Sequence, residues 1–382
     1  MGSFTETDAV PVTRSSNSIV RKMRALRVEA GETKASLKQV DVPALGPSDL
    51  LIKVESAILA PDVFGLVRAG KLLQAPTTLG HKVAGTIAQR GPEVEHLQTG
   101  QRVRLDPNLN CGSCTYCRSD RDQMCSQCGI MGFFALAKFP RWERYHPGGL
   151  ADYIRVPASQ VDVLPDSISC DTGAKIHDLA NALRAFKNCE LAVGATVVLL
   201  AATGAMGTCC IKLAPFFGVG RLILVARSIE RLQAVAKLTS VPCECVGLDT
   251  LGDDWVASRA LGRRISELAP EGVNAVIDYS PSGEDMWQVF DALAIGGTFV
   301  PIGGNWSVTP FPARILTLKC WRIIGTRNHS KEDSRTIIDL LKRGQLHVED
   351  LVTAEFALQD IEKAIEQLRD RSRPSWMLMI RP

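Results

Sequence analysis

The apolar run ATVVLLAA (195–202) leads directly into Thr203-Gly204-Ala205-Met206-Gly207 and then into a helix-like stretch, TCCIKLAPFFG (208–218). A strand without polar alternation must be covered on both faces, which is the condition of a parallel sheet held between helices. The same rhythm continues with RLILVA (221–226), a helical stretch at 229–239, NAVIDY (274–279), a helix near 284–293 and GTFVPIG (297–303). Beyond these come WRIIGT, a helix at 332–343, and a final helix and strand at 358–369 and 375–380. The pattern predicts an α/β, doubly wound parallel-sheet domain over residues 179–318.

Upstream the text is different. From Met23 to about Pro165 it is made of short β-rich runs broken by Gly and Pro, among them LLIKVESAIL, VAGTIAQ, QRVRLD and ADYIRVP. Residues 1–22 are polar and aperiodic and read as a flexible N-terminal arm. A chain of 382 residues, 46% hydrophobic, has material for two cores. Its 44 basic and 41 acidic residues leave a formal charge of +3, too little to draw in nucleic acid or a membrane surface. A small-molecule substrate is expected. The sequence contains no apolar stretch long enough for a membrane span, no secretory signal, and Glu6 where a myristoylation motif needs Ser or Thr, so a cytoplasmic location is expected.

Four of the twelve cysteines, Cys111, Cys114, Cys117 and Cys125, form C-x2-C-x2-C-x7-C inside a lobe at about 108–128. Four thiolates at that spacing make a closed tetrahedral zinc site, which holds a loop and has no open position for chemistry. One structural zinc ion per chain is therefore expected. The other cysteines are dispersed, the pattern of reduced thiols, and Cys128 lies just outside the motif.

The turn Thr203–Gly207 sits between strand and helix, where a pyrophosphate binds. Gly204 permits close backbone approach to phosphate, Gly207 permits tight helix packing, and the amide ends of Ala205 and Met206 open the helix with its partial positive charge. The first glycine of the usual G-x-G-x-x-G is Ala202. The next strand ends in Arg227-Ser228 rather than in the carboxylate that would bond a ribose 2′-hydroxyl. Arg227 can clamp a 2′-phosphate through paired N–H groups, with Ser228 and Arg231 as helpers, so NADP(H) is the expected cofactor.

The β domain with GHKVAGT (80–86), the four-cysteine lobe, GGLADYIRVP (148–157) and GGTFVPIGG (296–304) together resemble the zinc-type medium-chain dehydrogenase/reductases, the alcohol dehydrogenase-like family. The resemblance implies a GroES-like catalytic domain, residues 23–178 plus 319–382, beside a Rossmann domain. It also implies hydride transfer between nicotinamide and a carbonyl, alcohol or activated double bond, and a homodimer.

Against that pattern the catalytic zinc site is degenerate. The position of the family's cysteine ligand is Leu59, its proton-relay hydroxyl and histidine fall on Pro61 and Phe64, Gly-His-Glu is Gly80-His81-Lys82, and the third ligand falls on His177. An ammonium at Lys82 opposes a divalent cation by about 4 kcal/mol per unit charge pair roughly 4 Å apart at an effective dielectric near 20. The preferred expectation is an NADPH-dependent reductase without catalytic zinc, acting on C=C, C=O or C=N, with His81, Lys82 or His177 supplying charge or a proton. Two alternatives stay open: a zinc alcohol dehydrogenase using His81, His177 and Asp62, and a cofactor-binding scaffold with a non-redox role. Leu59, Phe64, Phe133, Phe134, Trp142 and Trp306 are candidate walls for an apolar metabolite of the aromatic or terpenoid kind found in secondary metabolism.

Overall fold

The computed structural model describes residues 21–72, 74–283, 285–308, 312–370 and 372–382. The expected N-terminal arm lies outside them apart from its last two residues, and Lys22 already begins a strand, Lys22–Val28.

Six parallel strands make the second sheet, in the order Cys243–Gly247, Val219–Ala226, Ala195–Leu200, Val273–Asp278, Leu293–Pro301, Arg322–Ile323. The reason these strands are apolar throughout is visible in their packing. Val197, Leu199, Leu222, Leu224, Ala275 and Ile277 face one core, while Val198, Leu200, Ile223, Val225 and Val276 face another. Successive side chains point to opposite faces, and both faces are covered. Strand order reverses between Ala195–Leu200 and Val273–Asp278, which opens a crevice at their carboxyl ends.

The N-terminal unit is built on Asp49–Ile58. One edge of this strand pairs with Val83–Arg90; the other pairs with Tyr153–Pro157 and then with the chain's last strand, Leu378–Arg381. Met379 and Ile380 lie opposite Ile58 and Ala57, so the C-terminal segment returns to the β unit. A separate three-stranded sheet, Asn108–Leu109, Gly129–Ile130 and Phe134–Ala135, carries the cysteine lobe.

The Rossmann sheet takes its sixth strand from Arg322–Ile323, beyond residue 318, and Ile337 and Leu341 of the helix Lys331–Lys342 join its core. At the other end, residue 178 falls inside one continuous helix, Cys170–Cys189, capped by the Ser169 side chain accepting from the Thr172 amide. This helix packs against strands of the β unit and against both Ala205–Leu213 and Lys331–Lys342. Being buried on nearly every side, it has no single apolar stripe to announce it. The segment expected as a helix near 284–293 is a 3-10 turn, Asp285–Ala292, and the strand that follows starts at Leu293 instead of 297.

Candidate active site and metal centre

In the cysteine lobe, Cys111 and Cys117 Sγ lie 3.9 Å apart, Cys114 and Cys117 3.6 Å, Cys125 and Cys111 3.6 Å. A tetrahedron of sulfurs about 2.3 Å from a zinc ion has edges of about 3.8 Å, so the four side chains match the ion they would hold. Gly112, at φ +76°, makes the tight turn after the first cysteine. The amides of Ser113 and Cys114 point at Cys111 Sγ (3.5 and 3.3 Å) and bring its thiol down to about 6. Burial pushes Cys117 and Cys125 up, as expected of thiols that give up their protons only to a metal. Cys128 stands apart, buried, 3.7 Å from the Asn328 side-chain amide.

At the crevice, Gly204 is the N-cap of Ala205–Leu213 and no side chain caps the helix, so its first amides are free to meet an anion. Thr203, Ala205 and Met206 are half-buried around the exposed Gly204. A Cβ on Gly207 would stand 2.4 Å from the Ala202 carbonyl oxygen, so only glycine allows the helix to lie this close to its strand. Past the next strand, Arg227 is exposed, and Ser228 caps the following helix by accepting from the Arg231 amide at 3.4 Å. Sequence reading missed Asp249, whose carboxylate accepts from the Ile229 amide (3.1 and 3.2 Å) close to this same corner.

The second cluster lies where the β unit meets the helix Cys170–Cys189. His81 follows Gly80, whose φ of +98° and close approach to Leu150 both leave no place for a Cβ. The buried His81 ring stacks on Phe133 at 5.1 Å, and its Nδ1 has no hydrogen-bond partner. Burial, and then the charge of Lys82, lowers His81 to about 4, so it is a neutral imidazole. Lys82 pairs with a carboxylate: its Nζ is 2.7 Å from Asp178 Oδ1 and 2.9 Å from Oδ2. Lys175, one helical turn before Asp178, shares that Oδ2 at 2.9 Å and also donates to the Ala205 and Trp376 carbonyls at 3.3 and 3.2 Å. Burial pushes the Asp178 carboxyl up, but the two ammoniums outweigh it and hold it well below the usual carboxylate range; Asp178 in turn raises Lys175 against its own burial.

His177 is bonded on both sides. Its Nδ1 lies 3.1 Å from His329 Nε2 and its Nε2 lies 3.3 Å from the Asn181 amide, so both nitrogens are engaged inside the protein. Burial, and then His329, keeps it neutral. His329, itself buried, also meets Asn108, Ser330 and Ser334. Asp62 is exposed at the first turn of Pro61–Arg68, where its carboxylate accepts from the Val63 amide at 3.0 Å. The His81 and His177 rings meet edge to face at 5.3 Å, and the charge of Asp62 acts on His81; among the described residues, the four cysteines are the group of three or more such side chains whose ligand atoms all lie within 4.8 Å of one another. Leu59, Phe64 and Trp142 are buried in the β core, the last against Gly129, and Trp306 is 97% exposed. Phe133 and Phe134 are half-buried, edge to face at 5.4 Å.

Residues 46–166 match the model of the alcohol dehydrogenase GroES-like domain, and residues 205–343 match that of the zinc-binding dehydrogenases. The chain belongs to the zinc-type medium-chain dehydrogenase/reductases, a family of oxidoreductases. Relatives include D-xylulose reductase A of Aspergillus niger, 25% identical over 78% of this chain and 79% of that protein. Another is an NAD-dependent alcohol dehydrogenase of Sulfolobus acidocaldarius, 24% identical over 91% and 96%. Among solved structures, 2R,3R-butanediol dehydrogenase from Bacillus subtilis superposes with a TM-score of 0.79 at 21% identity, covering 94% of this chain and 99% of that one. A Sinorhizobium meliloti 1021 structure bound to NADP gives 0.80 at 23% identity, over 94% and 99%. These likenesses give the GroES-like plus Rossmann fold. Among the described residues no helix is long and apolar enough to cross a membrane.

Proposed function

We propose that this dehydrogenase-family chain is an NADPH-dependent reductase of an activated C=O, C=C or C=N group in a small, largely apolar molecule, working without a catalytic zinc. The observation that carries the reading is the Lys82–Asp178 ion pair, with Lys82 side-chain exposure at 7% and Asp178 at 1%, standing where the family has a glutamate and beside Leu59 where it has a cysteine. The residues present do not fit a catalytic cation: one expected thiolate is aliphatic, the expected carboxylate is an ammonium, and His177 is committed to His329 and Asn181.

The nicotinamide, when bound, supplies a hydride. This chain's own residues then supply the electrostatics. His81, neutral and with Nδ1 unpartnered, is a hydrogen-bond donor or acceptor held rigid by Phe133. Asp178 uses at most two of the three Lys82 N–H groups, so the third remains for an oxygen that becomes negative as hydride arrives. Leu59 and Phe64, with Phe133, give the reacting group an apolar, water-poor surrounding that strengthens those contacts. Arg227, with Ser228 and Arg231, would favour a 2′-phosphate, while Asp249 opposes it; both Arg227 and Asp249 are exposed, and the Asp249 carboxylate already accepts from the Ile229 amide.

We also infer a homodimer through the free edge of the parallel sheet. Ile295, Val308, Leu318 and Ile323 are exposed around Arg322–Ile323, as is Trp306, and an apolar sheet edge left bare invites pairing. The twelve unpaired cysteines suit a reducing cytoplasm.

The test is NADPH oxidation with a panel of aldehydes, enones and imines, run beside elemental analysis of the same preparation. Turnover at one zinc per chain supports the reading; turnover that appears only with a second equivalent of metal contradicts it.

A further inference from the structure

Lys175 is a second ammonium on the carboxylate that holds Lys82, and its side chain has no exposure at all. Two ammoniums and one carboxylate leave one positive charge in excess among side chains 7%, 0% and 1% exposed. Buried ionic triads seldom earn their place by stability, since apolar side chains of similar volume often serve as well or better. The geometry of this one is directional. Lys175 and Asp178 share one face of the helix Cys170–Cys189, three residues apart. Lys82 comes from the start of Val83–Arg90, Ala205 opens the phosphate-binding helix, and Trp376 precedes the C-terminal strand. Lys175 therefore touches both the unit that binds nucleotide and the carboxylate that fixes Lys82.

We propose that Asp178 and Lys175 are positioning residues for the reduction: Asp178 aims the Lys82 ammonium at the substrate oxygen, and Lys175 anchors Asp178 to the nucleotide-binding helix. The assignment rests on the reading of Lys82 given above. Because Asp178 Oδ2 is shared between the two ammoniums at 2.9 Å each, Lys175 also keeps the carboxylate from neutralising Lys82 completely. Charge left on Lys82 is what a developing oxyanion feels. Neither Asp178 nor Lys175 is exposed enough to touch substrate, so both act through Lys82.

The experiment uses the zinc-loaded full chain, NADPH, and cinnamaldehyde as probe. Lys82→Met is expected to lower kcat about 100-fold, and Asp178→Asn and Lys175→Met each about 10-fold, with KM for the probe changed by less than about threefold. The double variant Lys82→Met/Asp178→Asn is expected to be no slower than Lys82→Met alone, because a residue that works only through Lys82 has nothing left to do once Lys82 is gone. Fluorescence titration is expected to show weaker NADPH binding in Lys175→Met but not in Lys82→Met. If Asp178→Asn does not fold, Asp178→Glu keeps the charge and lengthens the reach; an intermediate kcat supports the assignment, and a wild-type kcat overturns it. Independent, multiplicative losses in the double variant, or wild-type kcat in Lys175→Met, also overturn it while leaving the role of Lys82 intact. A fully active Lys82→Met, or a wild-type protein that leaves cinnamaldehyde unreduced, removes the reading of Lys82 itself.

Discussion

Asp178→Asn is the substitution with the largest expected cost in stability. It leaves Lys82 and Lys175 as two cations with side chains 7% and 0% exposed and no carboxylate between them. Removing one partner of a buried pair costs about 3–5 kcal/mol, against about 0–1 kcal/mol for an exposed pair. The upper half of the first range applies here, since one carboxylate serves two ammoniums and Lys175 keeps the neutral Ala205 and Trp376 carbonyls and the Cys209 thiol but no carboxylate. Urea unfolding at pH 7, followed by tryptophan fluorescence, should show the midpoint falling accordingly. The triple variant Lys82→Met/Lys175→Met/Asp178→Leu removes all three charges together and should recover stability to within about 2 kcal/mol of the parent, because the desolvation cost goes with them. A loss below about 1 kcal/mol for Asp178→Asn, the value of a surface pair, would refute the claim that this cluster is shielded from water. So would a triple variant less stable than Asp178→Asn.

Three further outcomes follow from other sites. Burial holds His81 and His146 at about 4 and pushes His177 well below the usual imidazole range; the unfolded chain then binds more protons below its ordinary 6.5, so stability should be full above that pH and fall between pH 6.5 and 4 by about 1.4 kcal/mol per unit for each imidazole. Unfolding midpoints measured across that range check the slope, and His81→Phe should flatten part of it. Gly207→Ala puts a methyl 2.4 Å from a backbone oxygen that cannot step aside, so NADPH affinity should drop at least about tenfold in a fluorescence titration. Arg227→Glu should cut the NADPH-to-NADH ratio of kcat/KM by at least about tenfold, about 1.4 kcal/mol, and an unchanged ratio would hand control of the cofactor to Asp249.

What the sequence disclosed divides by distance along the chain. The zinc lobe was legible because its ligands span only Cys111 to Cys125, and spacing alone states the geometry. The strand–turn–helix at Gly204 and Gly207 was legible for the same reason, its parts being contiguous. The cluster around Lys82 was half-legible: family comparison exposed Leu59 and Lys82, yet nothing local says that Lys82 meets a carboxylate 96 residues away. Lys175 and Asp178 looked like ordinary polar positions of AKIHDLANALRAF, because a helix buried all round has no polar face against which a buried charge stands out. His329 was missed altogether, its partners Asn108 and His177 lying 221 and 152 residues off. Trp306, one of the candidate pocket walls, is left on the surface by the fold.

The central claim is hydride transfer assisted by Lys82 and His81 in place of a metal, and zinc stoichiometry on active protein tests it most directly. Elemental analysis should find one zinc per chain, absent from a Cys111→Ser/Cys114→Ser variant and unaffected by His81→Ala. A second zinc that disappears with His81→Ala, together with the NADPH-dependent activity, would contradict the account.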